Sequence, residues 1–385
     1  MPTVVIAADK FKGSLTAAQV GDAVRTGLQR VLPDLVVAVV PVADGGDGTL
    51  AAAIAAGYLW VPITATGPTG DPVDTGYARH DNQAVVELAD VSGLSRLPGG
   101  RHAPMIAGSR GTGELIAAAL DAGCRQIVVG IGGSAGTDGG AGLISALGAR
   151  LLGPDGRDIP DGGGALGRID KLDLTGLHPG LADAMIVIAC DVDNPLTGPL
   201  GAAAVYGPQK GADPNDVAAL DTALGRWADV VAAAGGTDHR DAPGAGAAGG
   251  VGFAAIALLG ATLRPGIELV LDLVGFHRQL AGAELVVTGE GSLDEQTLHG
   301  KAPAGVAAAA AAAGIPVVAV CGRNLLTADK LAAAGISAAY SLLEVEPDAQ
   351  RCMTDAAQLL EGVGETIATR HLIDTRQGVP SECMT

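Results

Sequence analysis

Aromatic residues are nearly missing from this 385-residue chain, at 2% of its positions. Its cores must therefore rest on Ala, Val, Leu and Ile, and it has no material for a base-stacking platform. Lysine is scarce as well, with six along the sequence, and the net charge is −18. A basic face for nucleic acid or anionic lipid is thereby lacking. A polyanionic substrate would need local cations, and four of the six lysines, Lys10, Lys12, Lys210 and Lys301, fall in loops singled out below. Cys124, Cys190, Cys321, Cys352 and Cys383 form no C-x-x-C pair, and the seven histidines form no H-E-x-x-H or Cys/His cluster. A zinc site is not expected, and the odd, scattered thiols predict a reduced, cytoplasmic setting. Long apolar runs are absent. The N-terminal VVIAA stops at Asp9, too short for a secretory signal. The alanine-rich tract 306–321 is broken by Gly314 and Pro316 and makes a poor membrane span. The 59 glycines follow no three-residue period, which excludes collagen.

What is present alternates. Residues 3–8 (TVVIAA) read as a buried strand. Thr16 and Gln19 form a capping box. Val20, Ala23, Val24, Gly27, Leu28 and Val31 then give a helix one apolar stripe. Residues 35–42 predict a second strand and 49–56 a second helix. This rhythm returns with strand 284–288, helix 302–313, strand 316–320, helix 328–334, strand 338–342 and helix 354–370. Such a βα order predicts a parallel sheet with right-handed crossovers. The middle reads differently. Residues 61–110 are broken by Gly, Pro and Asp. Helix 113–121, strand 126–130, helix 140–148, strand 185–190 and helices near 215–233 and 251–259 follow. The expected fold is α/β: a Rossmann-like (flavodoxin-like) parallel-sheet domain, 1–60 plus 281–373, interrupted by a second α/β domain, 61–280. Residues 374–385 read as a mobile tail.

Ligands of doubly wound sheets bind beyond the carboxyl ends of the strands. Four outer-domain strands are followed there by charged or polar side chains: Asp9, Lys10 and Lys12; Asp44 and Asp47; Glu290, Asp294 and Lys301; Arg323 and Asn324. Any one of these sets could be ordinary turn residues. Together they predict a site. In the middle domain GIGGSAG (130–136) follows a strand and precedes a helix. It fits the dinucleotide pattern formally, but no second strand ending in an acid follows at the required distance. Two readings remain: a loop that, with the next helix N-terminus, cradles phosphates, or a tight strand–helix turn. CDVDNPLTG (190–198) offers Asp191, Asp193 and Asn194 for Mg²⁺ or general base chemistry, or else an Asx turn before Pro195. YGPQKGA offers Lys210 as a phosphate contact or a solvated loop lysine. The chain has no G-x-x-x-x-G-K-[ST], H-R-D or D-F-G string, so a kinase here would belong to neither large class.

In order along the chain, AADKFKGSL (7–15), PVADGGDGT (41–49), GIGGSAGTDGGAG (130–142), CDVDNPLTGPLGAAAVYGPQKGA (190–212), GAAGGVGFA and TGEGSLDEQTLHGK (288–301) closely resemble the bacterial type I glycerate kinases. The resemblance runs from about residue 3 to 370. It departs at Ala8-Asp9-Lys10, where the family usually has Pro-Asp-Ser, at Asp47 (usually Glu) and at Gly136 (usually Thr). It implies transfer of the γ-phosphoryl of ATP to D-glycerate with Mg²⁺, 2-phosphoglycerate being favoured, in a cleft between the two domains. Implied for Mg²⁺ are Asp44, Asp191 and Glu290. Asp191 is the implied base, and Asp44, Asp191 and Lys12 the implied catalytic set. Implied for substrate and phosphate contacts are Asp9, Lys10, Ser14, Gly132, Gly133, Ser134, Asn194, Lys210, Lys301 and Arg323. The expected partners are ATP and D-glycerate, with neither nucleic acid nor membrane, and a homo-oligomer is left open. The alternatives are a kinase of another small hydroxy acid and a non-enzymatic carboxylate sensor.

Overall fold

A computed structural model describes residues 3–235, 237–298 and 300–373 of the chain. The expected tail at 374–385 lies outside them. The chain divides into two compact units, one running up to Asp44 and resuming at Ile267, the other Gly45–Gly266.

The outer unit is built on five parallel strands. Across the sheet they run Ala338–Ser341, Val317–Asn324, Ala283–Leu293, Thr3–Ala8 and Val36–Val39. Numbered along the chain, that order is 2-1-3-4-5, with the topological switch between the first and third strands. The central strands are continuous Val/Ile/Ala runs because helices cover both faces. Both bonds of the capping box form at Thr16, and the helix it starts, Ala17–Val31, buries Val20, Ala23, Val24, Gly27 and Leu28. That helix packs on Ala356–Ile367 through glycine: a Cβ on Gly364 would lie 2.5 Å from the Val24 carbonyl oxygen. Several elements differ from the sequence expectation: the second strand is only Val36–Val39, and the strand expected at 316–320 runs Val317–Asn324 and so includes Arg323 and Asn324. The C-terminal helix is split at Asp355 into Ala349–Thr354 and Ala356–Ile367. The third strand continues past 288 to Leu293, pairing Glu290 with Cys321 and Ser292 with Arg323. Its TGEGSL string is strand rather than loop, since the neighbouring strand is long enough to pair it.

The other unit holds a mixed six-stranded sheet. Its order is Thr262–Arg264, Met185–Ala189, Gln126–Gly130, Gln83–Glu87, Pro72–His80 and Leu59–Thr66. The first four are parallel, and Pro72–His80 is antiparallel to both its neighbours. The hairpin was hidden in the sequence because Leu59–Thr66 is an edge strand with half its residues exposed, and Pro62 interrupts its pattern. The helix Thr49–Ala55 packs against Gln83–Glu87, so this unit begins earlier than the boundary expected near 60. Among the described residues no helix is long and apolar enough to cross a membrane. Cys124, Cys190, Cys321 and Cys352 are free thiols.

Candidate active site

The switch point of the outer sheet gathers charge. Asp9 follows the first strand, its N–H bonded to the Gly289 carbonyl at 2.8 Å. The Asp9 carboxylate accepts from the Lys10 N–H at 2.6 Å and lies 3.7 Å from the Lys10 ammonium. On the adjacent strand Glu290 is buried, accepts from the Thr297 hydroxyl, and lies 3.9 Å from the Lys301 ammonium. Burial is the main reason its pKa rises to about 7, with Asp9 and Asp294 pushing the same way and Thr297 and Lys301 opposing. On the fourth strand Arg323 is exposed and donates from Nε to Ser292 Oγ at 2.9 Å. Lys12 is exposed. Ser14 is already committed: its hydroxyl donates to the Met353 carbonyl at 2.6 Å and ties the first loop to Ala349–Thr354. Asp44 is half-buried and closes the first segment of this unit.

In the other unit, three glycine strings interlock by backbone contact. A Cβ on Gly130 would lie 2.6 Å from the Gly45 carbonyl oxygen, and one on Gly132 would lie 2.8 Å from Gly46 Cα. Gly249 and Gly250 pack equally closely on Gly136 and Gly139. Ala248, Gly249 and Gly250 are left-handed in succession, with φ of 53°, 71° and 94°. Alanine pays for that conformation, and such strain persists only where its surroundings enforce it. Gly136 leaves little room for a side chain, because a Cβ there would lie 2.8 Å from the Ala107 carbonyl oxygen.

These contacts correct the phosphate-cradle reading of the helix that follows the 130–136 loop. The N–H groups of Gly140 and Gly142, at the start of Ala141–Ala146, are each bonded at 3.1 Å to the buried carboxylate of Asp138. The same carboxylate accepts from the Ser109 N–H and hydroxyl, both at 2.8 Å, at the start of Arg110–Asp121. Burial nevertheless pushes the Asp138 pKa up, against all four bonds. Glu87 does the same for Thr49–Ala55. It is buried and accepts from the Gly48 N–H at 3.2 Å and the Leu50 N–H at 3.0 Å. Its pKa rises to about 7, through burial first, and then through Asp47 and Asp90. Both helix starts are thus occupied by the protein's own carboxylates. Neither acid was picked from the sequence. The available signal was an acid closing an otherwise apolar strand, AVVE. What remains outward in the 130–136 loop is its tip, with Gly132 half-buried and Gly133 exposed.

Two further expectations change. Lys210 is neither solvated nor a loop-surface phosphate contact. It is 2% exposed, and its ammonium donates to Ser134 Oγ at 2.8 Å and to the Gly136 carbonyl at 2.5 Å. Burial lowers its pKa to about 7, opposed by Asp138. The Asn194 amide is spent within the chain, donating to the Leu200 carbonyl at 2.9 Å and accepting from the Tyr206 hydroxyl at 2.6 Å. Asp191 stays a candidate. It follows Met185–Ala189, is exposed, and accepts from the Gly266 N–H at 2.9 Å, which orients its carboxylate.

Among the described residues no three His, Cys, Asp or Glu side chains converge as a metal cluster. Mg²⁺ does not require one, because it keeps waters and uses one or two carboxylates beside substrate phosphates. Asp44, half-buried in the one unit, and Asp191, exposed in the other, are each a carboxylate of the kind that mode uses. Glu290, the third carboxylate expected for Mg²⁺, is buried and engaged by Thr297 and Lys301.

Comparison with known proteins agrees with this architecture. The glycerate kinase family model matches residues 4–372. A glycerate kinase of Bacillus subtilis (strain 168) is 43% identical over 368 residues, covering 95% of this chain and 96% of the relative. A glycerate 2-kinase of Escherichia coli (strain K12) is 43% identical over 347 residues, covering 88% and 90%. A crystal structure assigned as glycerate kinase 2 from Salmonella typhimurium LT2 superimposes with a TM-score of 0.86 at 41% identity, covering 98% of this chain and 100% of that one. The chain belongs to the glycerate kinase family.

Proposed function

We propose that this chain transfers the γ-phosphoryl group of ATP to D-glycerate, with Mg²⁺, and that the product is 2-phosphoglycerate. One observation carries the reading: a chain similar over 95% of its length to a protein named glycerate kinase places acids and lysines at the switch point of a 2-1-3-4-5 sheet. Phosphoryl transfer depends on positioning and charge neutralisation more than on covalent chemistry. Asp191, oriented by the Gly266 N–H, takes the proton of the attacking glycerate hydroxyl. Asp44 and Asp191 are the carboxylates that would hold Mg²⁺, and the ion would supply neutralisation of the phosphate charge. Lys12 and Lys10 face the phosphates. Arg323, steadied by Ser292, pairs with the glycerate carboxylate through its terminal nitrogens. Lys301 balances Glu290. ATP as substrate and free thiols are consistent with a cytoplasmic enzyme.

The test is direct. Purified protein with ATP, Mg²⁺ and D-glycerate should form ADP, and omission of glycerate or Mg²⁺ should stop it. Phosphorus NMR of the product should identify 2-phosphoglycerate. The 3-isomer would refute the regiochemistry alone. Turnover with a different hydroxy acid would refute the substrate, and glycerate binding without turnover would make the protein a sensor.

A further inference from the structure

Lys210 and Ser134 form a pair whose chemistry has a direction. Burial lowers the Lys210 pKa to about 7, and below that pH its protonated form can only donate. Ser134 Oγ therefore accepts at 2.8 Å and must turn its own hydrogen elsewhere. Among the described residues nothing accepts that hydrogen. The backbone around it is fixed. The Ala135 N–H is bonded to the Ser92 carbonyl at 3.0 Å, the Leu94 N–H to the Gly133 carbonyl at 3.0 Å, and Ser134 bridges to Gly93. Ser134 itself is 8% exposed, directly beneath the loop tip, where Gly132 is half-buried and Gly133 exposed. A second hydrogen bond, to the Gly136 carbonyl, stops the ammonium from swinging outward. A lysine kept inside a protein on two neutral acceptors is costly. In its protonated form Lys210 also strengthens the bond that the Ser134 hydroxyl donates.

We propose that Lys210 is a positioning residue that, from inside the protein, aims the Ser134 hydroxyl at an anionic oxygen of a substrate, without touching that substrate itself. The inference rests on the kinase reading for the identity of the anion, a nucleotide phosphate or the glycerate carboxylate. Separate titrations distinguish the two. A lysine that only braced the loop would act independently of the Ser134 hydroxyl. A lysine that acts through it would not.

The experiment is a double-mutant cycle of Ser134→Ala, Lys210→Met and the pair. Calorimetric affinities for MgATP and for D-glycerate, kcat, KM and melting temperature would be read for each. Each single variant should weaken one and the same ligand by roughly tenfold or more, the scale of a lost hydrogen bond to a charged group. In the Ser134→Ala background, Lys210→Met should change that affinity by less than about threefold, because coupled neighbours are not additive. Affinity losses that multiply overturn the proposal and leave Lys210 a brace. Should Lys210→Met fail to fold, Ser134→Ala decides alone: affinities for both ligands within about twofold of the parent overturn the proposal, since a lost hydrogen bond to a charged group costs far more. A parent protein that binds neither ligand overturns the kinase reading and this inference together. A working parent with an unaffected Ser134→Ala variant overturns only the inference.

Discussion

Replacing Glu87 by glutamine should make the protein's stability markedly less dependent on pH. Glu87 is 5% exposed, and its pKa is raised from 4.5 to about 7, mainly by burial. In the folded state it keeps its proton where the unfolded chain has lost it. The native protein therefore binds more protons across the window from about 4.5 to 7, and this group's contribution to stability falls as pH rises through that window. A shift of this size corresponds to about 3 kcal/mol. Glutamine resembles the protonated acid, and its carbonyl can still accept from the Gly48 and Leu50 N–H groups. The variant should thus match the parent near pH 4 and gain on it by about 3 kcal/mol at pH 8. Urea unfolding of both proteins across that range gives the difference, and Asp47 and Asp90, the charges facing Glu87, are common to both. A difference that stays flat within about 0.5 kcal/mol, or moves the other way, would refute the claim that desolvation governs this carboxylate.

Other outcomes follow from particular contacts. Asp191→Asn should lower kcat by roughly 10²–10⁴-fold without lowering the melting temperature, and a kcat within about threefold of the parent would remove Asp191 as the base. Gly249→Ala should destabilise by about 3 kcal/mol in denaturant unfolding, because φ is 71° and the new methyl would overlap the Gly136 carbonyl. Gly225→Ala, in the helix Pro214–Gly235 with nothing within 4 Å of the new methyl, should instead stabilise by about 0.5–1 kcal/mol. Thr16→Ala should cost about 1 kcal/mol, read as a drop in melting temperature, because it removes a capping bond to the Gln19 N–H.

The sequence by itself determined the local structure of the outer unit and where its charged loops must lie. The Val/Ile/Ala run at 3–8, bounded by Asp9, reads as a strand buried on both faces, and Thr16 with Gln19 reads as the cap of the next helix. Alternation of such elements placed Asp9, Asp44, Glu290 and Arg323 near strand ends before any contact was known. The edge strand Leu59–Thr66 escaped notice because a half-exposed strand carrying proline leaves a weak pattern. Tertiary structure alone decided which polar groups are spent. Glycine, asparagine and lysine in a loop look alike in sequence whether they meet a ligand or the chain itself. Gly130 is glycine because the Gly45 carbonyl lies against it, and Asn194 is committed to Leu200 and Tyr206. Lys210 reaches Ser134, 76 residues away, from inside the protein. Local periodicity encodes which face of an element is buried. It carries nothing about which distant backbone atom will fill the space above a glycine, and here such atoms, from Gly45, Gly46 and Ala107, pack against the backbone of the 130–136 loop.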